Sequence, residues 1–105
     1  MSTLITEKDV FAQSVAFTED AMTVFLDDGR SISVPLTWYP RLMAGRPDER
    51  ERYELIGDGE GIHWPDLDED ISVDGILAGR RSAESDASLS KWLERRRQSS
   101  SNQAR

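Results

Sequence analysis

The chain has 105 residues, of which 37% are hydrophobic and 31% are charged, and its net charge is −7. This length suits one domain with a modest core, and the low apolar content predicts that part of the chain lies outside that core. The absence of cysteine excludes disulfides, thiolate nucleophiles and cysteine-ligated zinc. The N-terminus has no apolar run, and no stretch approaches the roughly 20 apolar residues of a membrane span. We therefore expect a cytoplasmic protein that makes no membrane contact.

The first third of the chain predicts an antiparallel β-meander. Residues 14–18 and 22–26 are rich in β-branched and aromatic side chains, as strands are. A turn follows at 27–30, where a glycine supplies the positive φ that tight hairpins require. Residues 31–34 then alternate polar and apolar side chains, and Pro35, which has no N–H, ends the strand.

Short helices and short strands are predicted after the meander, connected by turns rich in glycine and proline. Thr37 is a candidate N-cap for the first helix and Asp74 for the last one. The apolar spacing and the turn residues predict helices at 37–44, 47–53 and 75–78 and strands at 53–56, 62–64 and 71–73. We therefore predict an α+β fold, with a small antiparallel β-meander sheet and short helices.

The composition changes after Arg80. Residues 81–87 are small and polar, which is typical of a linker, whereas 88–97 have the period of an amphipathic helix. The predicted organisation is an N-terminal lead-in at 1–12, an α+β domain at 13–80, a linker at 81–87, a C-terminal amphipathic helix at 88–97 and a disordered tail at 98–105.

One face of the C-terminal helix carries Leu89, Trp92, Leu93 and Arg96, at positions i, i+3, i+4 and i+7. An isolated helix of this length is marginal in water, so the stripe requires a surface to pack on. That surface is either a partner protein, with Trp92 as the anchor in a groove, or the chain's own domain, and both alternatives stay open. Our hypothesis is that these four residues form a partner-binding site.

Charge is unevenly distributed along the chain. Residues 1–81 hold 8 Lys/Arg and 17 Asp/Glu, a net charge of −9, whereas residues 82–105 hold 5 and 3, a net charge of +2. An acidic body repels a phosphate backbone, which argues against direct nucleic-acid binding by the body. It attracts a basic partner, so we expect a protein partner of basic character.

Two sets of residues within 61–72 invite a catalytic or metal-binding interpretation. His63 is the only histidine, and a general base there would require Asp66 or Asp68 to orient its ring. Asp66, Asp68 and Asp70 alternate, but the glycine and glutamate of a calcium-binding EF-hand loop are absent at the corresponding positions. No nucleophile motif accompanies the histidine. We therefore predict no catalytic residue, no metal site and no cofactor.

Two segments carry a family resemblance. Residues 28–42 contain VPLTWYPRL, and residues 61–79 contain GIHWP followed by LDEDISV and LAG. These motifs resemble those of the bacterial family catalogued as domain of unknown function 2442, and the resemblance covers residues 10–80. The resemblance implies a small α+β fold built on a meander, similar to the N-terminal domain of some helix-turn-helix proteins, and it supplies no catalytic residues. It also implies a gene that stands beside the gene of another small protein, in pairs that look like toxin–antitoxin modules.

The function that these observations favour is a non-enzymatic protein-interaction module, an antitoxin-like or regulatory partner of another small bacterial protein. One alternative is a homo-oligomeric scaffold or transcription-regulatory domain, which would dimerise by strand addition at an exposed edge of the meander or through Trp92. A third interpretation is a small hydrolase or metal-dependent enzyme around His63.

Overall fold

A computed structural model describes the backbone of residues 10–103 and the side chains of residues 10–98. Residues 1–9, which form most of the predicted lead-in, and residues 104–105 of the predicted tail lie outside the described residues. The fold is α+β, as predicted, but it contains two three-stranded sheets where the sequence predicted one. Within the described part of the chain, no helix is long and apolar enough to cross a membrane.

The first sheet is the predicted meander. Its strands β1 (Ala12–Phe17), β2 (Ala21–Leu26) and β3 (Ser31–Pro35) are antiparallel in the order β1-β2-β3. Met22 lies opposite both Phe17 and Val34 in the register. Alternation along β2 buries Met22, Val24 and Leu26 on one face. This face forms one wall of the core.

The second sheet consists of β4 (Glu54–Ile56), β5 (Gly61–Trp64) and β6 (Glu69–Ser72), antiparallel in the order β4-β5-β6. The sequence predicted β6 to begin at residue 71, whereas it begins at Glu69, which pairs with Trp64. The turn between β4 and β5 contains Gly59 at φ +113°, and a Cβ there would lie 2.4 Å from the carbonyl oxygen of Ala12. Only glycine therefore allows this turn to contact the first sheet.

The helical segments are short, apart from the last one. They comprise a 3-10 turn at Leu36–Trp38 and the helices α1 (Pro40–Ala44), α2 (Pro47–Glu51), α3 (Val73–Leu77) and α4 (Asp86–Gln103).

Two predicted helix caps differ from the structure. Thr37 lies in the 3-10 turn, and α1 begins later, because Tyr39 precedes a proline and is held outside the α region at φ −130° and ψ 85°. Helix α3 is capped by Ser72 rather than Asp74, since the Ser72 hydroxyl accepts a hydrogen bond from the N–H of Gly75 at 2.9 Å.

Helix α4 is longer than predicted at both ends. It begins at Asp86 rather than at residue 88, because the hydroxyl of Ser85 accepts a hydrogen bond from the N–H of Ser88 at 3.0 Å and caps the helix earlier. Its backbone continues to Gln103, through residues assigned to the tail. Once α4 has formed, each further residue adds one backbone hydrogen bond, which favours extension of the helix beyond residue 97.

The core joins both sheets and α4. Trp64 is fully buried, its indole N–H donates to the carbonyl of Arg50 at 3.0 Å, and its ring meets Phe17 of β1 edge to face at 6.3 Å between centroids. The buried apolar residues form one cluster, made of Val10, Ala12, Met22, Val24, Leu26, Val34, Leu36, Tyr39, Leu42, Ile62, Trp64, Leu67, Ile71, Val73, Ile76 and Trp92. The presence of Trp92 in this cluster makes α4 part of the domain.

Candidate functional site

Helix α4 packs against its own domain through Trp92. Trp92 is only 4% exposed, and two guanidinium groups lie over its ring, that of Arg41 at 5.1 Å and that of Arg96 at 4.8 Å from the ring centroid. Leu89 packs beside it on the core, whereas Leu93 is 37% exposed. Of the two alternatives left open by the sequence, the structure therefore shows the intramolecular one.

Two ion pairs hold this region: one joins α4 to α2, and the other joins α1 to the segment just before α4. Arg96 donates to both carboxylate oxygens of Glu49, at 2.8 and 3.2 Å, and Arg41 donates to both oxygens of Glu84, at 2.6 and 3.0 Å. Glu49 is 5% exposed and also accepts the N–H of Arg46 at 2.9 Å. We call Arg41, Glu49, Glu84, Trp92 and Arg96 the docking clamp. Bidentate pairs of this kind fix orientation as well as position.

The clamp carboxylates are held in their ionised form. Hydrogen bonds from Arg41 lower the pKa of Glu84 below its usual value of 4.5. Burial raises the pKa of Glu49, but the hydrogen bonds from Arg96 and from the Arg46 amide outweigh it, so the pKa of Glu49 is also lowered. Both pairs are therefore charged at neutral pH.

The hypothetical partner-binding stripe is thus largely occupied within the chain. Leu89, Trp92 and Arg96 contact the domain, and only Leu93 presents a large apolar side chain to solvent. The sequence marked Trp92 as an anchor but missed Glu49 and Glu84, which lie in polar segments without a motif. Their roles arise from contacts 43 and 47 residues apart in the sequence.

The three alternating aspartates do not converge. Asp66 accepts from Arg52 at 2.7 Å, Asp68 accepts from Arg41 at 3.2 Å, and Asp70 pairs with the Nδ1 of His63. The described residues contain no group of three His, Cys, Asp or Glu side chains arranged to hold a metal ion. The aspartate that orients His63 is therefore Asp70, not Asp66 or Asp68 as the catalytic interpretation required.

His63 lies in the middle of a row that crosses the second sheet. In the strand register Glu54 lies opposite His63, and His63 lies opposite Asp70, so all three side chains share one face. The hydrogen bond to Asp70 raises the pKa of His63 above 6.5, and the negative charges of Asp70, Glu54 and Asp68 act in the same direction.

Beside this row, a groove of about 430 Å³ crosses the same face. Gly61 has no side chain and lies opposite both Ile56 and Ser72 in the register, and Ile56, Glu60 and Asp70 are among the residues that line the groove. We call Glu54, Ile56, Glu60, His63 and Asp70 the acidic face.

The acidic face is unbalanced in charge. Residues 54–79 contain eight Asp/Glu and no Lys or Arg. Within the described residues, Glu54 and Glu60 have no lysine or arginine nitrogen within 4.0 Å, and the ion-pair partner of Asp70 is His63. The face therefore keeps a net negative charge that is open to solvent.

A second cavity, of about 260 Å³, lies between β6 and the segment 80–83. Burial raises the pKa of Glu69 on its wall. The hydroxyl of Tyr39 donates to the carbonyl of Arg80 at 3.1 Å, and the hydroxyl of Ser72 caps α3. The N–H of Arg80 also donates to the carbonyl of Gly75 at 2.9 Å and that of Ser82 to the carbonyl of Trp38 at 3.0 Å. These bonds hold the segment 80–83 against the domain, so we regard this cavity as structural.

Comparison with known proteins shows the family. The sequence profile described as "Protein of unknown function (DUF2442)" matches residues 12–82. The chain belongs to the DUF2442 family. The resemblance to domain 2442 drawn from the two sequence phrases is thereby confirmed, and α4 lies beyond the matched region. No curated protein matches the chain.

Two solved structures share this fold. A crystal structure of a protein of unknown function from Rhodospirillum rubrum is 26% identical, with a TM-score of 0.63 over 72% of this chain and 94% of that chain. A solution NMR structure of an uncharacterized protein from Chromobacterium violaceum is 24% identical, with a TM-score of 0.61 over 70% of this chain and 69% of that one. Because its sequence identity is low, the similarity to the Chromobacterium violaceum protein supports the fold alone.

Proposed function

We propose that this DUF2442 protein is a non-enzymatic protein-interaction module, whose acidic face binds a basic segment of another small bacterial protein in the manner of an antitoxin or regulatory partner. The observation that supports the proposal is the charge segregation along residues 54–79, which contain the second sheet and hold eight acidic residues and no lysine or arginine. Two of these acids, Asp66 and Asp68, pair with Arg52 and Arg41, whereas Glu54 and Glu60 on the acidic face have no lysine or arginine nitrogen within 4.0 Å among the described residues.

The sign of the charge selects the class of partner. An uncompensated negative surface attracts a basic protein during diffusional encounter and repels a phosphate backbone. The apolar side chain of Ile56, 43% exposed, lies among the acids of the face and gives a bound segment an apolar contact as well. A surface with both properties suits a polypeptide that carries lysine or arginine beside apolar residues.

The proposal assigns partner contact to the acidic face and gives α4 a structural role. Trp92 belongs to the core cluster, so removal of residues 82–105 would expose the underlying core. Loss of partner binding in such a truncation would therefore not distinguish lost contacts from lost folding. Substitutions on the acidic face avoid this ambiguity because their side chains are exposed or half-buried.

The test uses the protein encoded by the adjacent gene, since the family resemblance implies such pairs. The two proteins are co-expressed and purified, and their Kd is measured by calorimetry at low and high salt. The face variant Glu54→Gln/Glu60→Gln/Asp70→Asn is compared with a matched variant that removes three exposed acids elsewhere, Glu19→Gln/Asp20→Asn/Glu94→Gln.

We expect the face variant to bind more weakly and with a smaller salt dependence, while the matched variant binds as the parent does. Equal weakening in both variants would assign the effect to total charge and contradict a specific face. Undiminished binding in the face variant, or no complex with the neighbouring protein, would also contradict the proposal.

A further inference from the structure

We infer that the open edge of β4 is where the partner's segment binds, as an added extended strand rich in lysine or arginine. This inference rests on the proposed function and specifies its geometry. Strand addition supplies main-chain hydrogen bonds, while side chains on alternate positions of the new strand meet those of the edge strand. Three features of β4 favour this site: its unpaired edge, its side chains and the charge that surrounds it.

Strand β4 is an edge strand whose outer side is free within the described residues. It pairs only with β5, and all three of its residues are exposed. The carbonyl of Ile56 accepts the N–H groups of Gly59 and Glu60 inside the hairpin turn. Among residues 10–98, no other backbone or side-chain group bonds to β4 from outside the hairpin. Such an edge is a template for another extended chain.

Both edges of the first sheet are protected within the described structure. Along β1, the N–H of Ala12 donates to the carbonyl of Gly59 at 2.8 Å, and the N–H of Val15 donates to the hydroxyl of Tyr53 at 3.0 Å. Strand β3 ends in Pro35, which has no N–H, and it exposes no large apolar side chain. Strand β4 lacks both kinds of protection.

The side chains of β4 point alternately to the two faces of the sheet, and the side chains of a bound strand would alternate in the same way. Leu55 and Ile56 are 38% and 43% exposed and point to opposite faces, since they are consecutive in a strand. Glu54 shares a face with Ile56, two positions away. An added strand would therefore place a lysine or arginine opposite Glu54 and an apolar residue opposite Ile56, because directly opposite side chains lie about 5 Å apart.

Charge favours a basic segment over a second copy of this chain. Pairing of two β4 strands would bring together two second sheets, each with eight acids and no lysine or arginine in residues 54–79. Two chains of net charge −7 repel each other. In such a pair, Glu54 and Glu60 of one copy would also be repelled by the acidic residues of the other copy. A basic segment gains from the same field.

The test uses an amidated synthetic peptide of alternating lysine and valine, with a glutamate–valine peptide as its negative counterpart. Binding is followed by amide NMR shifts and by amide hydrogen exchange on the full chain. The variant Leu55→Lys/Ile56→Lys places charge on the edge, and Phe25→Lys/Met43→Lys adds the same charge at two other exposed apolar positions. Urea denaturation of both variants verifies folding.

We expect the lysine–valine peptide to slow amide exchange in β4, and the edge variant to bind it about tenfold more weakly or worse, a loss of about 1.4 kcal/mol. The matched variant should retain most of the affinity. If the edge variant binds as the matched one does, or if β4 exchange is unchanged on binding, the inference is wrong. The proposed function is tested separately, by the binding of the face variant to the protein encoded by the adjacent gene. Self-association in light scattering that the edge variant abolishes would instead identify a second copy as the occupant.

Discussion

The docking clamp and the acidic face both contain two glutamates and differ in how these charges are partnered. In the clamp, Glu49 and Glu84 each receive two hydrogen bonds from one arginine, and both guanidinium groups lie over the Trp92 ring. On the acidic face, Glu54 and Glu60 have no such partner within the described residues. The presence of a cation, rather than the number of acids, separates the structural carboxylates from those available to a partner.

The two regions also differ in their relation to the family. The acidic face lies entirely within the matched region, residues 12–82, whereas Glu84, Trp92 and Arg96 follow it. In this chain the acidic face therefore lies inside the family domain, whereas the helix that carries Trp92 lies outside the matched region. Because their charges are partnered differently, the same substitution should have different effects in the clamp and on the face.

The largest expected effect is on the clamp tryptophan. Trp92→Ala should lower the free energy of unfolding by about 3–5 kcal/mol, because it removes a large buried side chain and leaves a cavity. Urea denaturation followed by circular dichroism measures the change. Leu93→Ala is the control, since Leu93 is 37% exposed on the same helix. Similar, small losses for both variants would show that α4 does not stabilise the domain.

A smaller effect, with opposite outcomes in the two regions, is expected for a glutamate-to-glutamine change. Glu49→Gln should lower the free energy of unfolding by about 1–3 kcal/mol, because it removes the buried charge that holds Arg96. Glu54→Gln makes the same chemical change on the acidic face and should leave stability unchanged or slightly raised, since it relieves repulsion between like charges. The contrast fails if Glu54→Gln is the more damaging of the two under the same urea titration.

Acid should weaken the clamp selectively. The pKa values of Glu49 and Glu84 are lower in the folded chain than the usual 4.5. Their contribution to stability is therefore present above about pH 4.5 and is lost as the pH falls through the folded values. Urea midpoints measured from neutral to acidic pH should fall less steeply in Glu49→Gln than in the parent. Parallel slopes would contradict a depressed pKa at Glu49.

The parts of the fold that could be predicted are those with local signals. The meander follows from alternating side chains and a glycine turn, which are read within a few residues. The second sheet was predicted only as isolated strands, because β4 and β6 have three and four residues and β6 begins among acids, which are poor strand formers. Its assembly depends on Gly59 approaching Ala12 from 47 positions away.

The candidate sites also combine features that are predictable from local sequence with features that depend on distant contacts. The sequence identified Trp92 by helical spacing, but whether it faces the domain or a partner depends on Glu49 and Glu84, whose arginines are distant in the chain. Likewise, His63 has Asp66 and Asp68 nearer in sequence than Asp70, yet strand register brings Asp70 opposite it. Pairing across strands and between helices is a tertiary property, so residue spacing alone could not predict it.

The smallest expected effect, and the most direct probe of the acidic face, is the titration of His63. It is the only histidine, so its NMR signal is unambiguous. Its pKa should lie above 6.5 in the parent, owing first to the hydrogen bond with Asp70, and should move towards 6.5 in Asp70→Asn. The stabilisation from this pair is present below about pH 6.5 and is lost as the pH rises through the folded pKa.

This titration also reports on the partner site. Loss of the His63 proton makes the row of Glu54, His63 and Asp70 more negative, and Asp68 adds to the same field. A lysine-rich segment on β4 should therefore bind more tightly as the pH rises through the His63 pKa and, by linkage, should lower that pKa when bound. If the pKa of His63 stays fixed when the lysine–valine peptide saturates the protein, the peptide does not lie beside this row.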